Sequence, residues 1–174
     1  MEQRRNIELK ARDPDHERSA EACLDLGAEA QGLLVQRDTY FRAARGRLKL
    51  REQEGGASQL IAYERADTAG ARESRYRIAP VTEPDALKAA LADALGVETV
   101  VAKRRRLFLW QGVRIHLDEV EGRGRFIEFE AVAAAGSDLS LEAELVDRLR
   151  RAFGVEDADL IGHGYADLGP CVVG

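Results

Sequence analysis

Arg114 to Glu130 reads RIHLDEVEGRGRFIEFE, two strand-length runs of alternating polar and apolar residues around the turn-like segment Glu121-Gly122-Arg123-Gly124. Alternation at period two marks a β-hairpin whose faces differ in polarity. In the first run Arg114, His116 and Asp118 share one face and Ile115 and Leu117 the other; in the second, Glu128 and Glu130 oppose Ile127 and Phe129. A solvated strand face would explain any one of these acids. With Ile127 and Phe129 set for burial and Asp118 on the facing run, the sequence favours a cation site.

The same patterning extends in both directions. Residues 4–12, RRNIELKAR, place Asn6, Glu8 and Lys10 opposite Ile7 and Leu9. From Leu33 to Arg77 the chain reads as antiparallel strands with turns at Arg45-Gly46, Gly55-Gly56 and Ala69-Gly70. Within it Arg47, Lys49 and Arg51 oppose Leu48 and Leu50, and Arg75 and Arg77 flank Tyr76. The strand Val97 to Trp110 contains a four-residue basic run that alternation divides, Lys103 and Arg105 against Arg104 and Arg106.

Three helices interrupt the strands. Asp13-Pro14 offers an N-cap and a proline at N1 for a helix over 14–26, stopped by Gly27. Thr82-Glu83-Pro84-Asp85 opens a second, with Leu87, Leu91 and Leu95 at steps of four before Gly96. Leu141, Leu145, Leu149 and Phe153 predict a third over 139–153. Residues 155–174 form a tail or lid whose Gly162-His163-Gly164-Tyr165-Ala166-Asp167 segment either closes over the site or adds to the scaffold.

At 174 residues the chain is most simply one domain spanning 1–174. Its net charge of -5 argues against nucleic acid as a partner, so any anion site must be a local basic concentration. Cys23 and Cys171 have no partner at metal-ligand spacing. No apolar run has the length of a membrane span and Met1-Glu2-Gln3-Arg4 lacks a signal-peptide core, which predicts a soluble cytoplasmic protein without a membrane partner.

One arrangement satisfies every charged strand face at once: an α+β fold in which the strands close into an antiparallel barrel, helices outside and charges in the lumen. Arg47, Lys49, Arg51, Arg75, Lys103, Arg105 and Arg114 would then face Glu8, Asp118, Glu128 and Glu130. Such a lumen suits a polyanion carrying a divalent metal, since guanidinium and ammonium groups neutralise phosphoryl oxygens and carboxylates hold hard cations. A lipocalin-like carrier would need an apolar lumen, and the face parity opposes it.

NIELK at 6–10, GRLKLR at 46–51, YER at 63–65, SRY at 74–76, VAKRR at 101–105 and HLDEVEGRGRFIEFE at 116–130 together resemble the CYTH superfamily, the triphosphate tunnel metalloenzymes. The resemblance runs in order over nearly the whole chain. It implies a closed eight-stranded antiparallel tunnel and Mg2+- or Mn2+-dependent chemistry on the triphosphate of ATP, thiamine triphosphate or tripolyphosphate, as a triphosphatase or a class IV adenylate cyclase. It also implies metal positions at Glu8, Asp118, Glu128 and Glu130. The implied triphosphate positions are Lys10, Arg47, Lys49, Arg51, Arg75, Lys103, Arg105 and Arg114, and the catalytic ones Glu8, Lys10 and Glu130. Where the family signature is Glu-x-Glu-x-Lys, this chain carries Asn6, an uncharged residue, in the first position. That substitution leaves a non-catalytic triphosphate-binding module as the competing class. Similar proteins commonly form homodimers, although no apolar stripe evident in the sequence demands one.

Overall fold

Alternation decides which side chains share a face, and closure decides which face is inside. In the computed structural model, which describes residues 3–168, the strands are β1 (Arg4–Arg12), β2 (Glu29–Phe41), β3 (Arg47–Gln53), β4 (Ser58–Arg65), β5 (Arg72–Val81), β6 (Val97–Trp110), β7 (Val113–Val120) and β8 (Gly124–Val132). They form one closed barrel in the order β1-β5-β4-β3-β2-β6-β7-β8, every pair antiparallel. Closure leaves no strand edge unpaired. The tight joins have local causes: Gly46 turns into β3 at φ +62°, where a Cβ would lie 2.7 Å from the Tyr63 carbonyl oxygen.

Helices α1 (His16–Asp25), α2 (Pro84–Leu95) and α3 (Ser140–Ala152) lie outside the barrel. Among the described residues no helix is long and apolar enough to cross a membrane. The main core sits between helices and wall: Leu9, Ile115, Ile127 and Phe129 face out from β1, β7 and β8 against Cys23 of α1 and Val146 and Leu149 of α3. Each such aliphatic side chain contributes about 1.5–3 kcal/mol when fully buried.

The helix ends differ from the sequence expectation in instructive ways. Asp15, rather than Asp13, caps α1, accepting from the Arg18 N–H at 3.1 Å, while Asp13 accepts from the Asp15 N–H at 3.2 Å in a turn of its own. The Leu87-Leu91-Leu95 helix forms where its signals place it, yet none of its residues is buried; Lys88 ties it to Glu52 of β3 at 2.8 Å. In α3 the inward residues are Glu142, Val146 and Leu149, and Leu141, expected in the stripe, is 60% exposed. Glu142 is tolerated there because Ser137 Oγ donates to it at 2.8 Å. The outer wall of β2 and β6 also leaves Leu33, Val35 and Val100 exposed.

A second cluster lies inside the barrel. Tyr40, Val101, Val120 and Phe126 fill one end together with Tyr165 of the returning tail. Ile161 N–H donates to the Lys10 carbonyl at 2.9 Å, and Arg72 donates to the Ile161 carbonyl at 3.1 Å. The tail is thus stitched into that end. Opposite it the tunnel opens at a mouth bordered by Arg4, Ile78, Ala57, Leu34, Leu107 and Arg114.

Candidate active site

Between plug and mouth runs a cavity of about 510 Å3. Eight cationic side chains line it, Arg4, Lys10, Lys49, Arg51, Arg65, Lys103, Arg105 and Arg114, against three carboxylates, Glu8, Glu128 and Glu130. In a chain of net charge -5, this is a strong local inversion of sign.

Two aspartates beneath the lining organise the cations. Asp38 of β2, 1% exposed, accepts from Lys49 Nζ at 2.9 Å, from Arg51 Nε and Nη2 at 2.8 and 2.7 Å, and from Lys103 Nζ at 2.8 Å. The register places Asp38 beside Arg51, and closure brings in β6 on its other side. Burial alone would raise its carboxyl, but Arg51, Lys103 and Lys49 together hold it well below the usual carboxylate range. One negative charge thus gathers three positive ones. Burial, reinforced by Arg51, pushes the Lys103 ammonium well down. A polyanion arriving here meets cations short of counter-charge.

Asp118 of β7 is fully buried and takes a two-point bond from Arg105, Nε and Nη2 each at 2.6 Å, plus one from Tyr165 Oη at 2.6 Å. Burial opposes its ionisation, yet Arg105 holds the carboxyl down at about 2. Arg105 also reaches Glu128 at 3.2 Å. Lys10 stands 3.9 Å from Glu128 and 3.7 Å above the Tyr165 ring, and burial pushes its ammonium toward the neutral amine. Glu8 lies across from Glu130 in the β1–β8 register. Its carboxyl is raised, by burial first and then by Glu128, although Arg65 and Arg72 approach to 3.3 and 3.6 Å. Those approaches are not aligned hydrogen bonds: Arg65 Nη1 and Arg72 Nε and Nη2 are buried without a partner.

Near the mouth, Glu130 accepts from Asn6 Nδ2 at 2.7 Å and from Arg114 at 3.3 Å. Asn6 Oδ1 is buried with no partner. Glu8, Glu128, Glu130 and this orphaned amide oxygen form a hard oxygen donor set, and a cation among them would offset the burial and the Glu128 repulsion that raise Glu8, so the residues present fit Mg2+ or Mn2+. His116 sits 3.6 Å from Glu128 and 3.9 Å from Glu130, its Nδ1 without an aligned bond. Among the described residues, the set whose ligand atoms already lie within 4.8 Å of one another is elsewhere: Asp67, His163 and Asp167, all exposed. Both of those aspartates bind Arg47.

Glu8, Lys10, Lys49, Arg51, Lys103, Arg105, Arg114, Glu128 and Glu130 therefore all reach one cavity. Three expected lumen residues do not. Arg75 points outward to Glu73 at 2.9 Å, because its neighbours Ser74 and Tyr76 take the inner face. Arg47, at the start of β3 by the plugged end, is drawn off by Asp67 and Asp167. Asp118 has the inward parity but lies beneath Arg105 and Tyr165 and has no exposed surface. Conversely Arg65, with 2% of its side chain exposed, Asp38 and Arg72 were not singled out from the sequence. Arg65 carried a signal, sharing parity with Ile61 and Tyr63 and standing in the YER motif.

The CYTH domain profile matches residues 4–165. The chain belongs to the CYTH family. A Pyrococcus horikoshii protein, PH1012, superposes with a TM-score of 0.82 at 25% identity, over 94% of this chain and 98% of its own. Two further CYTH-like folds are more distant in sequence. A candidate adenylate cyclase from Vibrio parahaemolyticus gives a TM-score of 0.75 at 20% identity over 92% and 94% of the two chains. A Hippeastrum protein with a dominant triphosphatase activity gives 0.65 at 14% over 94% and 92%. No curated protein matches the sequence.

Proposed function

We propose that this CYTH tunnel carries out a divalent-metal-dependent reaction on the triphosphate group of a small molecule. The observation that carries the reading is the excess of buried cations, above all the three that converge on Asp38. Arg51 and Lys49 on β3 and Lys103 and Arg105 on β6 would take the phosphoryl oxygens, the arginines by paired N–H donors. The unpartnered Nη1 of Arg65, which lines the cavity, would extend this set toward the plugged end.

Glu8, Glu128, Glu130 and Asn6 Oδ1 would hold Mg2+ or Mn2+, which when bound polarises a phosphoryl group. Lys10, whose ammonium burial pushes down, would take a proton from the attacking oxygen. Tyr165 and Phe126 exclude water from the inner end. With water attacking the terminal phosphoryl group, orthophosphate forms and the diphosphate leaves; with a ribose 3'-hydroxyl attacking the α-phosphoryl group, a cyclic nucleotide forms and pyrophosphate leaves. The dominant triphosphatase activity of the Hippeastrum neighbour corresponds to the first outcome, and the description of the Vibrio parahaemolyticus neighbour as a candidate adenylate cyclase to the second.

A second reading, a non-catalytic triphosphate-binding module, is favoured by one observation: Asn6 brings no charge and its amide already occupies Glu130. Incubation with ATP, thiamine triphosphate or tripolyphosphate and Mg2+ or Mn2+, with products resolved, separates the readings. Orthophosphate identifies a triphosphatase and cyclic AMP with pyrophosphate a cyclase. Binding without turnover identifies the module, and no binding of any of the three refutes the triphosphate reading.

A further inference from the structure

The tunnel mouth is chemically two-sided. Its β1 and β7 side carries Arg4 and Arg114, whereas Leu34, Gln36, Gln53, Gln59, Ile78 and Leu107 line it elsewhere with uncharged side chains; the cations beside them in register, Arg51, Lys103 and Arg105, are turned to Asp38 and Asp118. A triphosphate does not account for this second arc. Its oxygens are charged acceptors, and Leu34, Ile78 and Leu107 offer neither a donor nor a counter-charge.

Gln36 narrows the ligand further. It is 5% exposed and lines the cavity. Its Nε2 donates to Gln53 Oε1 at 2.9 Å, while its own Oε1 is buried without a partner. A phosphate oxygen, itself an acceptor, leaves that oxygen unsatisfied; an N–H donor satisfies it. Gly56 leaves room for the partner amide: a methyl group there would fall 2.4 Å from Gln53 Nε2 as it stands. Apolar side chains flanking a fixed acceptor suit a flat heterocycle bearing an amino group.

We infer that the uncharged arc binds the organic part of the substrate and that Gln36 accepts a hydrogen bond from its amino group. The substrate is then an amino-heterocyclic triphosphate, with inorganic tripolyphosphate the poorer ligand. This rests on the triphosphate reading above.

Calorimetric titration in EDTA, where metal-dependent turnover is halted, tests it with ATP, purine riboside triphosphate (the same molecule without its amino group) and tripolyphosphate. The wild-type protein should bind ATP about 3- to 10-fold more tightly than the des-amino analogue, the effect of one hydrogen bond. Gln36→Met should erase that difference and leave tripolyphosphate affinity unchanged. Gln36→Glu, which keeps the acceptor, should retain the preference for the amino group even if added charge weakens all three ligands, and it serves alone if the methionine variant does not fold. Equal binding of ATP and its des-amino analogue by the wild type, tighter binding of tripolyphosphate than of ATP, or a uniform loss in Gln36→Met overturns the assignment while leaving the triphosphate reading in place. Failure of all three ligands to bind, in EDTA and again with Mg2+ or Mn2+ added, removes both.

Discussion

Replacing Asp38 by asparagine keeps the shape of the side chain and removes the charge that collects Lys49, Arg51 and Lys103. Asp38 and the Lys103 side chain are each 1% exposed, so water cannot take the lost partner's place. Breaking a buried ion pair from one side costs about 3–5 kcal/mol. Because Lys103 is already pushed toward its neutral form and can shed its proton, the lower figure applies. For a chain of this size about 3 kcal/mol corresponds to a fall of roughly 6–12 °C in Tm. The pH dependence follows from the depressed carboxyl. Asp38 contributes its stability above the unfolded carboxyl value of about 3.9 and loses it as pH falls through the lower folded value. Denaturation curves of wild type and variant should therefore stay separated from neutral pH to about pH 4 and converge only in stronger acid. The same substitution leaves Lys49 and Arg51 without their internal counter-ion, so tripolyphosphate should raise the variant's Tm more than the wild type's, reflecting about tenfold tighter binding or better. A Tm within about 1 °C of wild type, or weaker tripolyphosphate binding, would refute the account of Asp38 as the organiser of the anion site.

Glu130→Gln should abolish metal-dependent turnover while leaving Tm within a few degrees of wild type, since Asn6 and Arg114 can still pair with an amide oxygen; a product assay beside a thermal melt checks both. Lys49→Ala should weaken triphosphate binding about 10-fold or more, the scale of a charged hydrogen bond, and calorimetry reads it directly. Tyr165→Phe removes the 2.6 Å bond to Asp118, for an expected loss of about 1.5–3 kcal/mol in chemical denaturation; no loss would mean the plug is not anchored by that hydroxyl. Cys23 is buried and its thiol pushed up to about 12 by burial, so in a Cys171→Ser variant a thiol reagent should stay silent until denaturant is added.

Much of the architecture was legible because strands report their two faces locally. The parity of Asn6, Glu8 and Lys10 and of Lys103 and Arg105 needed nothing beyond alternation, and the cavity contains them all. Alternation fails where both faces of a strand are polar. In β5, Arg75 and Arg72 take opposite sides, and only pairing with β1 and β4 shows that Arg75 faces out. Asp38 had a readable position, one step from Arg37 and two from Tyr40, but its meaning depends on Lys103 arriving from a strand 65 residues away. Of the α3 stripe, Leu145, Leu149 and Phe153 pack on the core, and only Leu141 falls outside it; Glu142 takes the inner place beside it because Ser137 satisfies an acid that an apolar pattern would exclude. The tail carries no periodic signal, and its course across the barrel end is set by long-range bonds such as Ile161 to Lys10.

The packing of Tyr165 against Phe126, ring centroids 5.0 Å apart, blocks the inner end of the tunnel among the described residues. A molecule cleaved within such a well would leave by the route it came, the two fragments in turn and the deeper one last. Turnover would then be governed by how firmly the inner cations grip that final fragment, and the strength that secures the substrate would also set the delay before the next one can enter.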